Sequence, residues 1–307
     1  MQSWSQNKSK GDFFQRRWQA AGRGGEQCRP RTRKTRFSII IQIYASSTSS
    51  SICSNYLPSK SHNKTNSNFA FQTWAQFAES ARVETLEKSF KLVKKLITVI
   101  FSNILFVRKC FDEDDYAKKS FDGVPVRILK AKSKDPMVQK ITSYLVGAFD
   151  ALEMRYLRKL KLVIYLDPEK LEQAHEVYSI KVSYPEGFPA LDVVGLENLK
   201  HSTNSLLKTT LALTEGLDPL PNTCYLGFRI DYYDEHTPED YEPLNFEQDP
   251  RDLVLPESTR SLKAGSVLTN FHSLNAKVQA KPGVAQSPGH LYPQMETSQG
   301  SPFHEIQ

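Results

Sequence analysis

The chain has 307 residues, 39% of them hydrophobic, and a formal charge of +6. That hydrophobic share is low for one compact globule of this length, so part of the chain stands outside any core. The positive charge is local: residues 1–36 hold ten Lys/Arg against Asp12 and Glu26, a net of +8, and the remainder sums to −2, so the overall positive charge says nothing about the folded part.

Residues 1–75 are basic and then rich in Ser, Thr and Asn. Such a stretch buries too little apolar surface to offset its chain entropy and is expected to be disordered. Phe37–Tyr44 (FSIIIQIY) is its one apolar island and has the composition of a short strand. Arg29–Arg36 (RPRTRKTR) is compatible with a nuclear-import or nucleic-acid patch, but low complexity beside charge fits a solvated tail better. The N-terminus lacks the basic, apolar and small-residue succession of a secretory signal.

The first strong periodicity is a helix over residues 79–107. Val83, Leu86, Phe90, Val93, Ile97, Ile100, Ile104 and Val107 recur in steps of three and four. Its second half is apolar all round, so it should run through a core. The run Leu96–Val107 is too short for the ~20 residues of a bilayer span. Cys110–Ile128 reads as a connector holding four close acids, Asp112, Glu113, Asp114 and Asp115. These lack the glycine and terminal glutamate of a calcium loop and fit a solvated turn. Phe121–Leu129 has the pattern of a short strand.

Asp135-Pro136 opens a second helix, Asp as the cap and Pro in the first turn. Val138, Ile141, Leu145, Ala148, Leu152 and Tyr156 form its apolar stripe. Lys159–Asp167 and Val177–Tyr184 then read as an antiparallel hairpin with one covered face. A third helix spans about Glu197–Glu215 and stops at Gly216. Cys224–Tyr232 is a third strand, with Cys224, Leu226, Phe228, Ile230 and Tyr232 on one face. Helices beside an antiparallel sheet covered on one side make an α+β two-layer domain.

After that strand the character changes. Asp234–Glu257 contains nine acids and one base, Arg251, and is punctuated by Pro238, Pro243, Pro250 and Pro256, which preclude a regular helix. Ser266–Gln279 alternates again and is expected to be a single late strand. Lys281–Gln307 is rich in Pro, Gly, Ser and Gln and is expected to be a disordered tail.

Nothing in this order has the form of a catalytic site. There is no glycine-rich phosphate loop, nucleophile elbow or HExxH pair. Cys28, Cys53, Cys110 and Cys224 show no metal or disulfide spacing, so neither a metal nor a cofactor is expected. The seven histidines are scattered. His236, beside Asp234 and Glu235, fits a solvated loop better than a proton-transfer site.

The stretch GLDPLPNTCYLGFRIDYYDEHTPEDYEP, residues 216–243, resembles the signature of the meiotic HORMA-domain proteins, the HORMAD family. There a Pro-Leu-Pro turn leads into a strand ending Tyr-Tyr-Asp-Glu and a Thr-Pro-x-Asp-Tyr-x-Pro tether. The helices, the hairpin and the late Asn270-Phe271-His272 segment match in order over residues 76–280. The resemblance implies a core of residues 76–235 with three main helices on the sheet. Residues 236–280 would form a mobile C-terminal "safety belt" that wraps a short extended peptide, the closure motif. It further implies that Arg229, Ile230, Asp231, Tyr232 and Tyr233 border the peptide groove, and that Leu268, Phe271, His272 and Leu274 anchor the belt. Tyr233 and Phe271, opposite the core in simple alternation, are the candidates for direct peptide contact.

The implied partners are closure motifs of axis or cohesin proteins or of other HORMAD copies, and a hexameric AAA+ ATPase that remodels the domain. Chromatin association would be indirect, with no membrane partner, in the nucleus on meiotic chromosomes. The alternatives are a HORMA adaptor of a spindle-checkpoint or DNA-repair complex, and a nucleic-acid-binding protein using its basic arm.

Overall fold

The computed structural model describes residues 36–44, 85–121, 123–185 and 196–283. Most of the expected disordered stretch 1–75 and the tail from residue 284 onward therefore lie outside the described residues, as do residues 79–84 of the span expected for the first helix.

That helix, α1, runs Leu86–Val107. Thr85 caps it by accepting a hydrogen bond from the Lys88 amide at 3.3 Å. Every residue from Val99 to Leu105 is buried, so its second half passes through the interior as its all-round apolar composition requires. The second helix, α2, is Pro136–Glu153, with Asp135 accepting from the Met137 amide at 2.7 Å. The third, α3, is Leu196–Glu215.

The strands in chain order are β1 (Arg36–Tyr44), β2 (Tyr116–Phe121), β3 (Val124–Leu129), β4 (Leu157–Tyr165), β5 (Glu176–Ser183), β6 (Thr223–Tyr232), β7 (Glu247–Gln248), β8 (Arg260–Leu268) and β9 (Ser273–Ala280). β2 and β3 form a separate hairpin where one strand and a connector are expected. β2, Tyr-Ala-Lys-Lys-Ser-Phe, is too polar to announce itself by periodicity. The neighbouring acids form a 3₁₀ turn, Glu113–Asp115, and Glu113 pairs with Lys118 at 2.8 Å.

The other seven strands make one antiparallel sheet in the order β7-β1-β6-β4-β5-β9-β8. Alternation gives this sheet two different faces. Leu160, Leu162 and Ile164 of β4 join Phe228, Ile230 and Tyr232 of β6 and Ile180 and Val182 of β5 in the main core, under the helices. Val163, Tyr165 and Val177 point the other way and form a small second cluster with Ala174, capped by Leu253 and Leu255.

The expected single strand over Ser266–Gln279 is instead the end of one strand, a turn and a second strand. β8 and β9 pair with each other, and β9 pairs with β5. The turn is Thr269–His272: the Thr269 amide donates to the His272 carbonyl at 2.8 Å, and the Thr269 hydroxyl accepts from the amides of Phe271 and His272. No glycine or proline marks it, so the alternation appears unbroken in sequence.

Candidate functional site

The segment after β6 takes a long path. Thr237 holds the first bend by donating its hydroxyl to the Tyr233 carbonyl at 2.8 Å. The chain then climbs α2 from its C-terminal end. Tyr241 donates to Asp150 at 2.7 Å and stacks edge-on against Tyr156 and Tyr232. The Leu244 carbonyl passes directly over Gly147, where a Cβ would meet it at 2.2 Å. Asn245 donates to Ser143 at 2.8 Å, and Phe246 packs on Tyr144 with centroids 6.2 Å apart. Glycine at 147 is thus what lets the strap lie against the helix.

The strap next rounds the outer edge of β1, where β7 pairs with Phe37 and Ser38. It continues across the face of the sheet opposite the helices. There the Arg229 side chain, only 2% exposed, receives it. Its guanidinium donates to the Arg251 carbonyl at 2.7 Å and the Leu171 carbonyl at 2.9 Å, contacts Asp249 at 3.0 Å, and reaches the Tyr165 hydroxyl at 3.1 Å. Asp249 also accepts from Ser38 at 2.7 Å and pairs with Arg251 at 2.8 Å. Burial alone would raise the Asp249 carboxyl pKa, but the bonds from Arg251 and Ser38 and the charge of Arg229 outweigh it and hold it down to about 2. Farther on, Val254 exchanges backbone hydrogen bonds with the Glu172–Ala174 loop at 2.7 and 2.9 Å. The strap ends in the β8–β9 hairpin on the far side of β5.

β1 therefore lies between β6 and the strap. Its nine residues pair with β6 in register from Arg36 opposite Asp231 to Tyr44 opposite Thr223. The Arg36 carbonyl accepts from the Asp249 amide at 2.9 Å, and its guanidinium pairs with Asp252. The nine-acid stretch is thus partly engaged: Asp249 and Asp252 face cations of the sheet and of β1.

The residues singled out from the sequence divide by face. Arg229 and Asp231 lie on the strap side of β6, with Asp231 paired to Lys161 at 2.7 Å. Ile230 and Tyr232 are buried in the core beneath. Tyr233 lies past the end of β1; its hydroxyl donates to the Val182 carbonyl at 2.9 Å and its ring meets Tyr184. Phe271 packs against the core cluster and Leu274 is within it, while Leu268 is 50% exposed. His272 is fully buried at the hairpin turn. Its Nδ1 shares a 2.6 Å hydrogen bond with Ser89, and its ring contacts Phe90 and Tyr184. Burial, and secondarily the charge of Arg155, push its pKa down to about 4. Asp249, Asp252, Ser38 and Gly147 were not singled out; only the density of acids after Tyr233 hinted at the first two.

Among the described residues no group of His, Cys, Asp and Glu is arranged to hold a metal, and no helix is long and apolar enough to cross a membrane.

An α+β two-layer domain whose last segment straps an edge strand against its own sheet defines a class of clamp-like domains. The HORMA domain model matches residues 89–272, so the chain belongs to the HORMA-domain family. Relatives include HORMA domain-containing protein 1 of Danio rerio, 34% identical over 207 residues, 64% of this chain and 58% of that protein. HORMA domain-containing protein 2 of Mus musculus is 30% identical over 210 residues, 64% of this chain and 69% of that one. The chain thus spans little more than half the length of the protein 1 relatives that it matches. Among solved structures, C. elegans HTP-2 bound to HTP-3 closure motif 1 has a TM-score of 0.60 at 21% identity, covering 72% of this chain and 98% of that one. HTP-2 bound to the HIM-3 closure motif has a TM-score of 0.58 at 21% identity, with 64% and 91% covered. These likenesses are of fold.

Proposed function

We propose that the protein is a non-enzymatic adaptor of the meiotic chromosome axis, acting in the nucleus in homologue synapsis, recombination and meiotic checkpoint signalling. Its HORMA domain clamps short closure-motif peptides with residues 236–280 as the belt. One observation supports this reading above all: the segment following β6 encloses an extended strand against the β6 edge. A peptide in that place gains main-chain hydrogen bonds from the sheet, while side-chain pockets select its sequence. The belt then covers it, so release requires unwrapping.

In this reading Arg229 and Asp231 set the charge of the groove. Ile230 and Tyr232 fix the β6 backbone from below. Tyr233 positions the start of the belt rather than touching the peptide. His272 and Leu274 anchor the belt hairpin in the core, Phe271 packs beside them, and Leu268 sits at its exposed margin. The partners are closure motifs of axis or cohesin proteins or of other HORMAD copies, and a hexameric AAA+ ATPase remodels the clamp. The domains of HTP-2 crystallised with closure motifs lend support by their shared fold.

The test is a peptide array of axis and cohesin sequences probed with the full chain and with Arg229→Met. The expected result is selective capture by the wild type and dissociation at least tenfold faster from the variant. Capture of no peptide, or equal dissociation from both, would sink the clamp reading.

A further inference from the structure

We infer that Arg36–Tyr44 is a built-in occupant of the peptide edge: in cis it fills the place under the belt, and a partner peptide must displace it. This rests on the clamp reading above.

The family match covers residues 89–272 and, within them, β4, β5, β6, β7 and β8 of the large sheet; β9 follows directly at Ser273, while β1 lies well ahead of the match. β1 comes from outside that region, yet it takes the full length of the β6 edge, nine consecutive pairs. Its sheet neighbours are β6 on one side and the belt strand β7 on the other. Forty-one residues separate Tyr44 from Leu86, a contour of up to about 140 Å. That length lets the strand reach the edge in cis without fixing the fold of the core.

Arg36 sits opposite Asp231 in register and pairs with Asp252 of the belt. Two residues later Ser38 sits opposite Arg229 and donates to Asp249. The backbone between them is bonded on the belt side through the Arg36 carbonyl. The groove is therefore selective for an extended segment with a cation, then one residue, then a small hydroxyl side chain. Belt carboxylates read both. A competing partner segment is expected to carry the same basic-x-Ser/Thr pattern.

A tethered competitor acts at an effective concentration far above that of a free peptide. An external peptide then binds with an affinity reduced by the fraction of chains whose edge is vacant. The occupant thus sets a threshold that weak or mismatched segments fail to pass.

Three measurements on the full chain test this. Amide hydrogen exchange over residues 36–44 is expected to be slow in the wild type and fast in Arg36→Glu/Ser38→Glu. That variant leaves the family-matched domain untouched. A fluorescein-labelled synthetic peptide of residues 34–46 is expected to bind the double variant at least tenfold more tightly than the wild type. Equal affinity for the two chains, with unprotected 36–44 in the wild type, would overturn the occupant while leaving the clamp intact. Binding to neither chain would overturn the clamp reading and the competition with it. Finally, Ser38→Cys/Glu247→Cys, with Cys28 and Cys53 changed to Ser, places two thiols on paired residues of β1 and β7. Oxidation is expected to give an internally linked monomer. A covalent dimer would assign the occupant to a second copy and overturn the cis assignment; no cross-link would overturn the placement itself.

Discussion

Substituting Gly147 with alanine is expected to loosen the strap from the helix beneath it. Gly147 is a buried residue inside α2, and its Cα faces the Leu244 carbonyl. An alanine Cβ would lie 2.2 Å from that oxygen and 3.5 Å from the Phe246 ring. The belt backbone must retreat by about 1 Å to restore van der Waals separation. The Asn245–Ser143 hydrogen bond and the Phe246–Tyr144 contact flank the spot and would loosen together. Overpacking of this kind costs about 1–3 kcal/mol. The helix itself gains about 0.5–1 kcal/mol, because alanine restricts the unfolded chain where glycine does not. The two effects fall on different states: the penalty applies only while the belt is docked, and the gain applies always. Hydrogen exchange by mass spectrometry distinguishes them. Amides of 236–259 should exchange about 5- to 150-fold faster, the equivalent of 1–3 kcal/mol. Those of 136–153 should exchange no faster than in the wild type. A folded Gly147→Ala protein with unchanged protection over 236–259 would refute the path assigned to the belt.

Three further expectations follow from the buried charges. Arg229→Met leaves Asp249 with Arg251 and Ser38 but removes the bonds to two loop carbonyls, so the belt segment 249–255 should lose protection and global stability should fall by about 3–5 kcal/mol in urea titration; a drop under 1 kcal/mol would contradict the latch. Arg108→Met strands Glu176, which Arg108 meets at 2.7 Å with both side chains buried, and the same loss of about 3–5 kcal/mol is expected, with Glu176→Gln/Arg108→Met recovering part of it. His272 is neutral when folded, its pKa lowered to about 4. The unfolded chain therefore binds a proton below pH ~6.5 that the folded chain refuses until pH ~4, so its stability contribution is intact above 6.5 and lost on acidification through that window, about 3 kcal/mol in all. Comparing urea midpoints of wild type and His272→Gln from pH 7 to 4 checks this; parallel curves would refute it.

Much of the layered core is readable from local patterns, because its signals are local. Asp135-Pro136 starts α2 where capping chemistry places it, and the alternation of Cys224–Tyr232 gives the buried face of β6. β1 is expected as a short strand from its apolar island, but its partner strand lies almost two hundred residues later, with nothing local to name it. β8 and β9 merge because alternation carries across a turn made by Thr269 hydrogen bonds instead of glycine. At the site, Arg229 and Asp231 were readable as the residues opposite the core face. Tyr233 was read by the same alternation, but it lies past the end of β1 and turns toward Tyr184, which strand periodicity alone does not foresee.

The place of β9 has a consequence for the protein's solubility. As long as the hairpin stays docked, β5 is an interior strand, and the outer edge is β8, which carries Arg260 and Lys263 and is bent at Gly265. Such charged, irregular edges resist pairing with other sheets. If the hairpin leaves, β5 becomes the edge, rich in Val, Ile and Tyr, with the backbone groups that faced β9 unpaired. An unbelted molecule is therefore prone to strand-to-strand aggregation. Loss of the docked hairpin would then be tolerable only briefly, or while another protein held the bare edge.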